Sequence, residues 1–212
     1  MTTTIYLVRH GNSVGNIQKR IIGITDIALT KEGFNQGKQV AKFFKNKKLD
    51  AVYSSSRSRA TITAMFTAKQ KKLPLHIDDR FAEFNFGKVF EGKTWAEALL
   101  FKEDAYRQYR EEKTFPTVQF PQGGESSEQV VKRFLDGIYS LAKKHEGESI
   151  MITTHSVALM LFLSYHKNGY TMQGLKRERR LPNASITTLK VENEKITIIE
   201  EGYTKHLKGI TV

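Results

Sequence analysis

Apolar and polar positions along this chain switch repeatedly between a continuous or alternating pattern and a helical one, which predicts an α/β sheet covered on both faces. The run Ile5, Tyr6, Leu7, Val8 reads as a first buried strand. Thr30 is placed to cap a helix in which Phe34, Gly37, Val40, Ala41 and Phe44 recur at helical spacing. Residues 51–53 read as a second strand running into Ser54, Ser55 and Ser56, and the helix after it has Ala60, Thr63, Ala64 and Thr67 as a small-residue face for close packing. Residues 75–77 make a short third strand.

Residues 81–92 read as a loop with two glycines and mixed aromatics. From 93 to 113 the composition is helical but the pattern irregular, with Trp95, Leu99, Tyr106 and Tyr109 forming a partial apolar stripe. This segment, extended to about residue 122, is expected to be a small helical insert over the site, with Trp95, Tyr106 or Tyr109 shaping substrate choice. A plain packing stripe is the better reading of those four residues. Gly123, Gly124 and Glu125 end the excursion, and Ser126 with Gln129 fits a capping box. The helix that follows shows a buried face of Val131, Phe134, Leu135, Ile138, Leu141 and Ala142. Residues 150–152 form another apolar strand, ending in Thr153, Thr154 and His155 before an apolar helix. Residues 185–191 and 195–199 alternate with period two around Asn193 and Glu194, which predicts a terminal antiparallel hairpin at the sheet edge. With no internal repeat or linker, residues 1–212 are expected to form a single domain. Its fold is a three-layer α/β/α sandwich whose central sheet is mostly parallel.

Composition narrows the chemistry. The chain contains no cysteine, which removes disulfides, thiol nucleophiles and thiolate metal sites and fits a cytoplasmic setting. Met1 to Thr4 lead into a strand without a basic leader, and the most apolar stretch, 157–163, is too short to span a bilayer, so no membrane partner is expected. Lys and Arg number 34 against 22 Asp and Glu, a formal charge of +12 that favours polyanions. Much of it clusters at Lys45, Lys47 and Lys48, at Lys71 and Lys72, and at Lys143 and Lys144, near helix ends where the dipole is complemented and the charge solvated. The run Lys176, Arg177, Glu178, Arg179, Arg180 is dense enough to steer anions, although a solvated loop is the plainer reading. Arg57, Arg59, Arg177 and Arg179 lack interleaved stacking aromatics, so no nucleic-acid partner is expected.

Polar groups of one purpose then stand after three of the strands: Arg9 and His10 after the first, Ser55 and Arg59 after the second, and His155 after the fourth. Ligands of open α/β sheets bind outside the carboxyl ends of the strands, so parallel topology brings these groups together. Two arginines can hold a phosphoryl group through charge-assisted, often bidentate bonds, and Arg59 lies near a helix N-terminus that adds to the attraction. A histidine beside them suggests nucleophilic attack on a phosphorylated substrate. Glu83, in the aromatic loop, is expected to be partly desolvated and kept protonated for acid catalysis. No metal is implied, because cationic arginines repel a divalent ion. Asn16 and Ser55 read equally well as turn or cap residues, whereas Glu125 is assigned to a helix start and Asp26 to a turn. His76, His145, His166 and His206 are assigned to surface or packing.

Taken together, the motifs resemble the histidine phosphatase superfamily, the phosphoglycerate-mutase-like group. The resemblance rests on Leu7 to Ser13, Asn16, Gly23 to Asp26, Leu29 to Gly33, Ser54 and Ser55, Arg59 and Ala60, Thr63 and Ala64, Glu83 with Gly87, Glu91 and Gly92, Gly124 to Ser126, and His155. It implies that His10 is a nucleophile forming a phosphohistidine, that Arg9, Arg59 and His155 bind the non-bridging oxygens with Asn16 on the substrate side, and that Glu83 protonates the leaving alkoxide. Gly23, Ser55 and Ser156 become candidate substrate contacts. Ser156 also departs from the family, which usually has glycine after the second histidine. A small phosphate ester is the expected partner, with no cofactor. Hydrolysis is favoured over a phosphoglycerate mutase by the modest insert between Glu83 and Gly124, and over an inactive binding module by the presence of every expected catalytic residue. The edge hairpin leaves a homodimer open.

Overall fold

The computed structural model describes residues 1–100, 117 and 119–210. Six strands form one sheet: β1 (Thr3–Arg9), β2 (Ala51–Ser54), β3 (Leu75–Ile77), β4 (Ser149–Thr154), β5 (Ile186–Glu192) and β6 (Lys195–Tyr203). Their order is β3-β2-β4-β1-β5-β6, in which β1 to β4 are mutually parallel and β5 and β6 antiparallel. The mostly parallel sheet with an antiparallel edge hairpin is the architecture the patterning predicts. Asn193 and Glu194 turn that hairpin at φ 48° and 59°, a pair of left-handed residues suited to the twist of a two-residue turn.

Strand parity divides the core. Val8, Val52, Met151 and Ile186 pack with Val40, Phe44, Ala64 and Ala68 on one face of the sheet. These last come from helices α2 (Lys31–Phe44) and α3 (Ser58–Lys71); the short α1 (Val14–Ile17) precedes them and was not foreseen. Ile5, Leu7, Tyr53, Ile150 and Ile152 pack on the other face with Phe134, Ile138, Ala158 and Phe162. Successive side chains of a strand point to opposite faces, so a continuous apolar run serves both layers.

The capping assignments hold: Thr30 accepts the Gly33 N–H at 3.0 Å, and Ser126 and Gln129 exchange the capping-box bonds. Two buried-face assignments shift. Phe34 is 39 % exposed, and Gln36 is buried in its stead, its Oε1 accepting the Asn12 N–H at 2.7 Å. Leu135 is only partly buried, while Val130 and Gly137 join the core. A Cβ on Gly137 would come within 2.6 Å of the Phe81 ring, so the helix needs glycine there.

The 81–92 loop is more ordered than its composition implied, with a 3-10 turn at Asp79–Phe81 and helix α4 at Gly87–Phe90. Of the expected insert, α5 (Trp95–Leu100) is described. Tyr106, Tyr109 and the Leu99 side chain lie outside the described residues. Helices α6 (Ser127–Lys144), α7 (Ser156–Asn168) and α8 (Met172–Arg177) complete the second layer. Among the described residues no helix is long and apolar enough to cross a membrane.

Candidate active site

The strand order sets β2, β4 and β1 side by side, so their carboxyl ends deliver Ser55, His155 and His10 to one place. Arg9, His10, Asn16, Arg59, Glu83 and Ser156 line a single pocket there. His155 lies behind it, fully buried, its ring centroid 5.2 Å from that of His10.

The nucleophile candidate is held in one tautomer. His10 Nδ1 is 2.7 Å from the Gly11 carbonyl, which only accepts, so Nδ1 carries the hydrogen and Nε2 keeps its lone pair. Burial first, then the charges of Arg59 and Arg9, hold His10 well below its ordinary value, so the ring is neutral. Its backbone is fixed on both sides. The His10 N–H donates to Thr154 O, and the His10 carbonyl accepts from Asn183 Nδ2 at 3.0 Å. Gly11 is required here because a Cβ would lie 2.5 Å from the Gly33 carbonyl oxygen.

Two buried guanidiniums flank the imidazole. Burial pushes Arg9 down to about 10, with Glu83 acting in the opposite sense, so it remains charged at neutral pH. Its Nη1 donates to the Leu181 carbonyl, while its buried Nε has no protein partner among the described residues. Arg59 is 1 % exposed and donates to the Thr25 and Gly23 carbonyls, each at 2.9 Å. That loop is itself clamped: Glu91 accepts the Gly23 and Thr25 N–H groups, and Asp26 accepts the Ser58 N–H at the start of α3. Asp26 is therefore more than a turn former, because it ties the loop holding Arg59 to the helix carrying Arg59.

Glu83 is buried, but its surroundings are not simply apolar. It accepts N–H groups from Phe84 at 2.8 Å, Val157 at 3.1 Å and Ala158 at 2.9 Å. The last two are unpaired donors in the first turn of α7, the helix that starts after His155, so the carboxylate caps that helix end. The backbone at Glu83 is carried by Arg133, which donates to the carbonyls of Arg80, Ala82 and Glu83 and makes a bidentate pair with Glu125. Nothing in the spacing of Arg133 marks it; only the folded proximity does.

The remaining candidates divide. Ser156 Oγ is buried without a partner among the described residues and is available to a ligand. Asn16 Oδ1 accepts from Ser13 and Asn183, which leaves the amide nitrogen of this pocket residue for substrate. Ser55 and Gly23 are not on the pocket wall, contrary to expectation. Ser55 is fully buried with its Oγ 2.6 Å from His155 Nε2. Gly23 supports Arg59 through its carbonyl, and a Cβ there would meet the Phe84 carbonyl oxygen at 2.3 Å. Burial and the Arg59 and His10 charges hold His155 well below its ordinary value, and its buried Nδ1 lacks a partner among the described residues. Arg20, Phe86, Trp95 and Arg180 also line the pocket. Of these, Arg180 carried a sequence signal as part of the anion-steering basic run and Trp95 as a residue of the insert expected to shape substrate choice; Arg20 and Phe86 carried none.

Comparison with known proteins agrees with this geometry. The model of the histidine phosphatase superfamily (branch 1) matches residues 5–203. A metal-independent phosphoserine phosphatase from Arabidopsis thaliana is 29% identical over 211 residues, covering 98% of this chain and 84% of the relative. A probable phosphoglycerate mutase from Proteus mirabilis is 32% identical over 193 residues, covering 89% and 85%. The crystal structure of a phosphoserine phosphatase from Entamoeba histolytica with 3-phosphoglyceric acid superposes with a TM-score of 0.83 at 27% identity, over 97% of this chain and 99% of that one. A match running from the first strand to the last, on a fold shared with such enzymes, means that this chain belongs to the histidine phosphatase superfamily (branch 1) and is a phosphatase.

Proposed function

We propose that the chain hydrolyses small phosphate monoesters through a phosphohistidine on His10. The observation that carries this is the neutral imidazole whose Nδ1 is committed to Gly11 O, leaving Nε2 unprotonated in a pocket lined by arginines.

In the first half-reaction Nε2 attacks phosphorus, the N–P bond forms and the ester P–O bond breaks. Arg9 and Arg59, with the free Nδ1 of His155 and the Ser156 hydroxyl, stabilise charge on the non-bridging oxygens. Glu83 gives the leaving oxygen its proton. In the second half-reaction Glu83 takes a proton from water, whose oxygen displaces His10 from phosphorus and releases inorganic phosphate.

The test is to trap the intermediate. Incubation with a phosphate ester labelled in its phosphoryl group, then quenching in alkali, is expected to leave one acid-labile label per chain, absent from His10→Ala. Hydrolysis without that label would overturn the covalent route. Phosphate transfer to a second hydroxyl of phosphoglycerate, primed by a bisphosphate and far outpacing release of inorganic phosphate, would replace hydrolysis by the mutase activity.

A further inference from the structure

The pocket has more cation than one phosphoryl group needs. Among the described residues, Arg9, Arg20, Arg59 and Arg180 line it against a single carboxylate, Glu83. Arg9 and Arg59 are buried beside His10, whereas Arg20 and Arg180 are exposed and lie on its outer wall. That wall is built. Arg20 pairs through its backbone with Thr94, the residue before Trp95, and its Nη1 donates to the Gly92 carbonyl at 2.6 Å. The Arg180 guanidinium carbon is 5.2 Å from the Trp95 ring centroid, which places the cation over the ring face. Trp95 stands edge-on to Phe86, with centroids 5.8 Å apart, and Phe86 belongs to the buried aromatic cluster with Phe84 and Phe120. The next residue along, Leu181, takes the Arg9 guanidinium on its carbonyl, and Asn183 holds the His10 carbonyl. The segment bearing Arg180 is thus tied to the catalytic end of β1. Among the described residues Arg180 has no ion-pair partner.

We propose that Arg180, laid against Trp95 with Arg20 on the same wall, binds a second anionic group of the substrate. The natural ester then carries a carboxylate or a further phosphate besides the phosphoryl group transferred to His10. The inference rests on the phosphatase reading above but adds what that reading lacks, a feature the substrate must have. Arginine suits the task because its planar fork matches carboxylate and phosphate oxygens, and a guanidinium already held on an aromatic face loses less freedom when it binds.

Matched esters test it. 3-Phosphoglycerate and glycerol 3-phosphate share a skeleton and differ by a carboxylate against a hydroxymethyl group; propane-1,3-diol bisphosphate offers a second phosphate. The readout is the ratio of kcat/KM for each doubly anionic ester to that for glycerol 3-phosphate. Wild type is expected to favour one or both anionic esters, and Arg180→Ala to lower that ratio roughly 10- to 100-fold, the effect of one lost hydrogen bond to a charged group. Trp95→Leu keeps the charge but removes the ring face, and is expected to lower the ratio about 2- to 10-fold. A structural role for Arg180 lowers all three esters alike and leaves the ratio unmoved; that result, or a wild type without preference, overturns the proposal. The same esters titrated calorimetrically into His10→Ala report the subsite without turnover. Preference in binding that Arg180→Ala abolishes, with no hydrolysis of any ester by wild type, sinks the phosphatase reading and leaves the anion subsite standing.

Discussion

Ser55 Oγ lies 2.6 Å from Nε2 of His155, so a hydroxyl after β2 fixes the imidazole after β4 in a fully buried layer behind His10. Nδ1 of the same ring has no protein partner among the described residues, which makes Ser55 the ring's side-chain anchor. Removing the hydroxyl strands a buried nitrogen at a cost of about 1–3 kcal/mol. Ser55→Ala is therefore expected to lower Tm by roughly 2–4 °C for each kcal/mol lost in a domain of this size, and to lower kcat by loosening the ring. Denaturation curves and kinetics that match wild type would show that packing alone holds His155.

Acid costs this fold stability through two buried imidazoles. Both His10 and His155 are held well below 6.5, chiefly by burial and then by Arg59. Between that lowered value and about 6.5 the unfolded chain binds more protons than the folded one, so stability rises with pH in this window and is lost as pH falls below about 6.5, at up to ~1.4 kcal/mol per pH unit for each ring. His10→Asn is expected to reduce that slope by about one proton, measured by urea unfolding at several pH values. The acid limb of kcat/KM is expected well below 6.5 for the same reason; a limb at 6.5 would place His10 in a solvated, unperturbed state.

Glu83 takes N–H bonds from Val157 and Ala158 on the helix that follows His155, which ties its carboxyl group to the start of that helix. A positioned acid contributes roughly 10²- to 10⁴-fold, and only where the leaving oxygen needs the proton. Glu83→Gln is expected to lose about that much with an alkyl ester and far less with 4-nitrophenyl phosphate, whose leaving group is already acidic. Equal losses on both esters would assign Glu83 to building the pocket rather than to proton transfer.

What the sequence displays of this site follows from where the information is stored. His10, Arg9, Arg59, Glu83 and His155 follow strand ends or sit in a marked loop, and parallel strand order converts those positions into proximity. Cap residues such as Thr30 and Ser126 are equally legible, because a cap is a local bond between residues three apart. Ser55 was visible as a residue but not in its role: a serine after a strand can face the pocket or a neighbouring ring, and only the β2-β4 pairing decides. Arg133, Arg20 and Asn183 were invisible as site residues, since each acts across 50 or more positions of chain. Phe34 and Gln36 exchanged places because Asn12 has a backbone N–H to satisfy, a demand stronger than the apolar pattern of one helix face.

Arg133 illustrates the kind of residue that only the fold exposes, and its removal separates positioning from chemistry. Its guanidinium accounts for the carbonyls of Arg80, Ala82 and Glu83 and pairs with Glu125 at 2.8 Å, while Glu125 also accepts the Asn85 N–H. Arg133→Ala leaves three carbonyls and a carboxylate without their donor. The pair is about one-fifth exposed, so the expected cost is near the low end for a buried pair, about 3 kcal/mol. Arg133 does not line the His10 pocket; it sets the backbone from which Glu83 reaches it. Its loss is therefore expected to reproduce the Glu83→Gln signature in weaker form, with alkyl esters slowed more than 4-nitrophenyl phosphate. Arg133→Lys, which keeps the charge but cannot span three carbonyls and a carboxylate together, is expected to restore stability more fully than it restores alkyl-ester turnover. A variant that loses stability while treating both esters alike would confine Arg133 to the scaffold and require another explanation for how the Glu83 carboxylate is aimed.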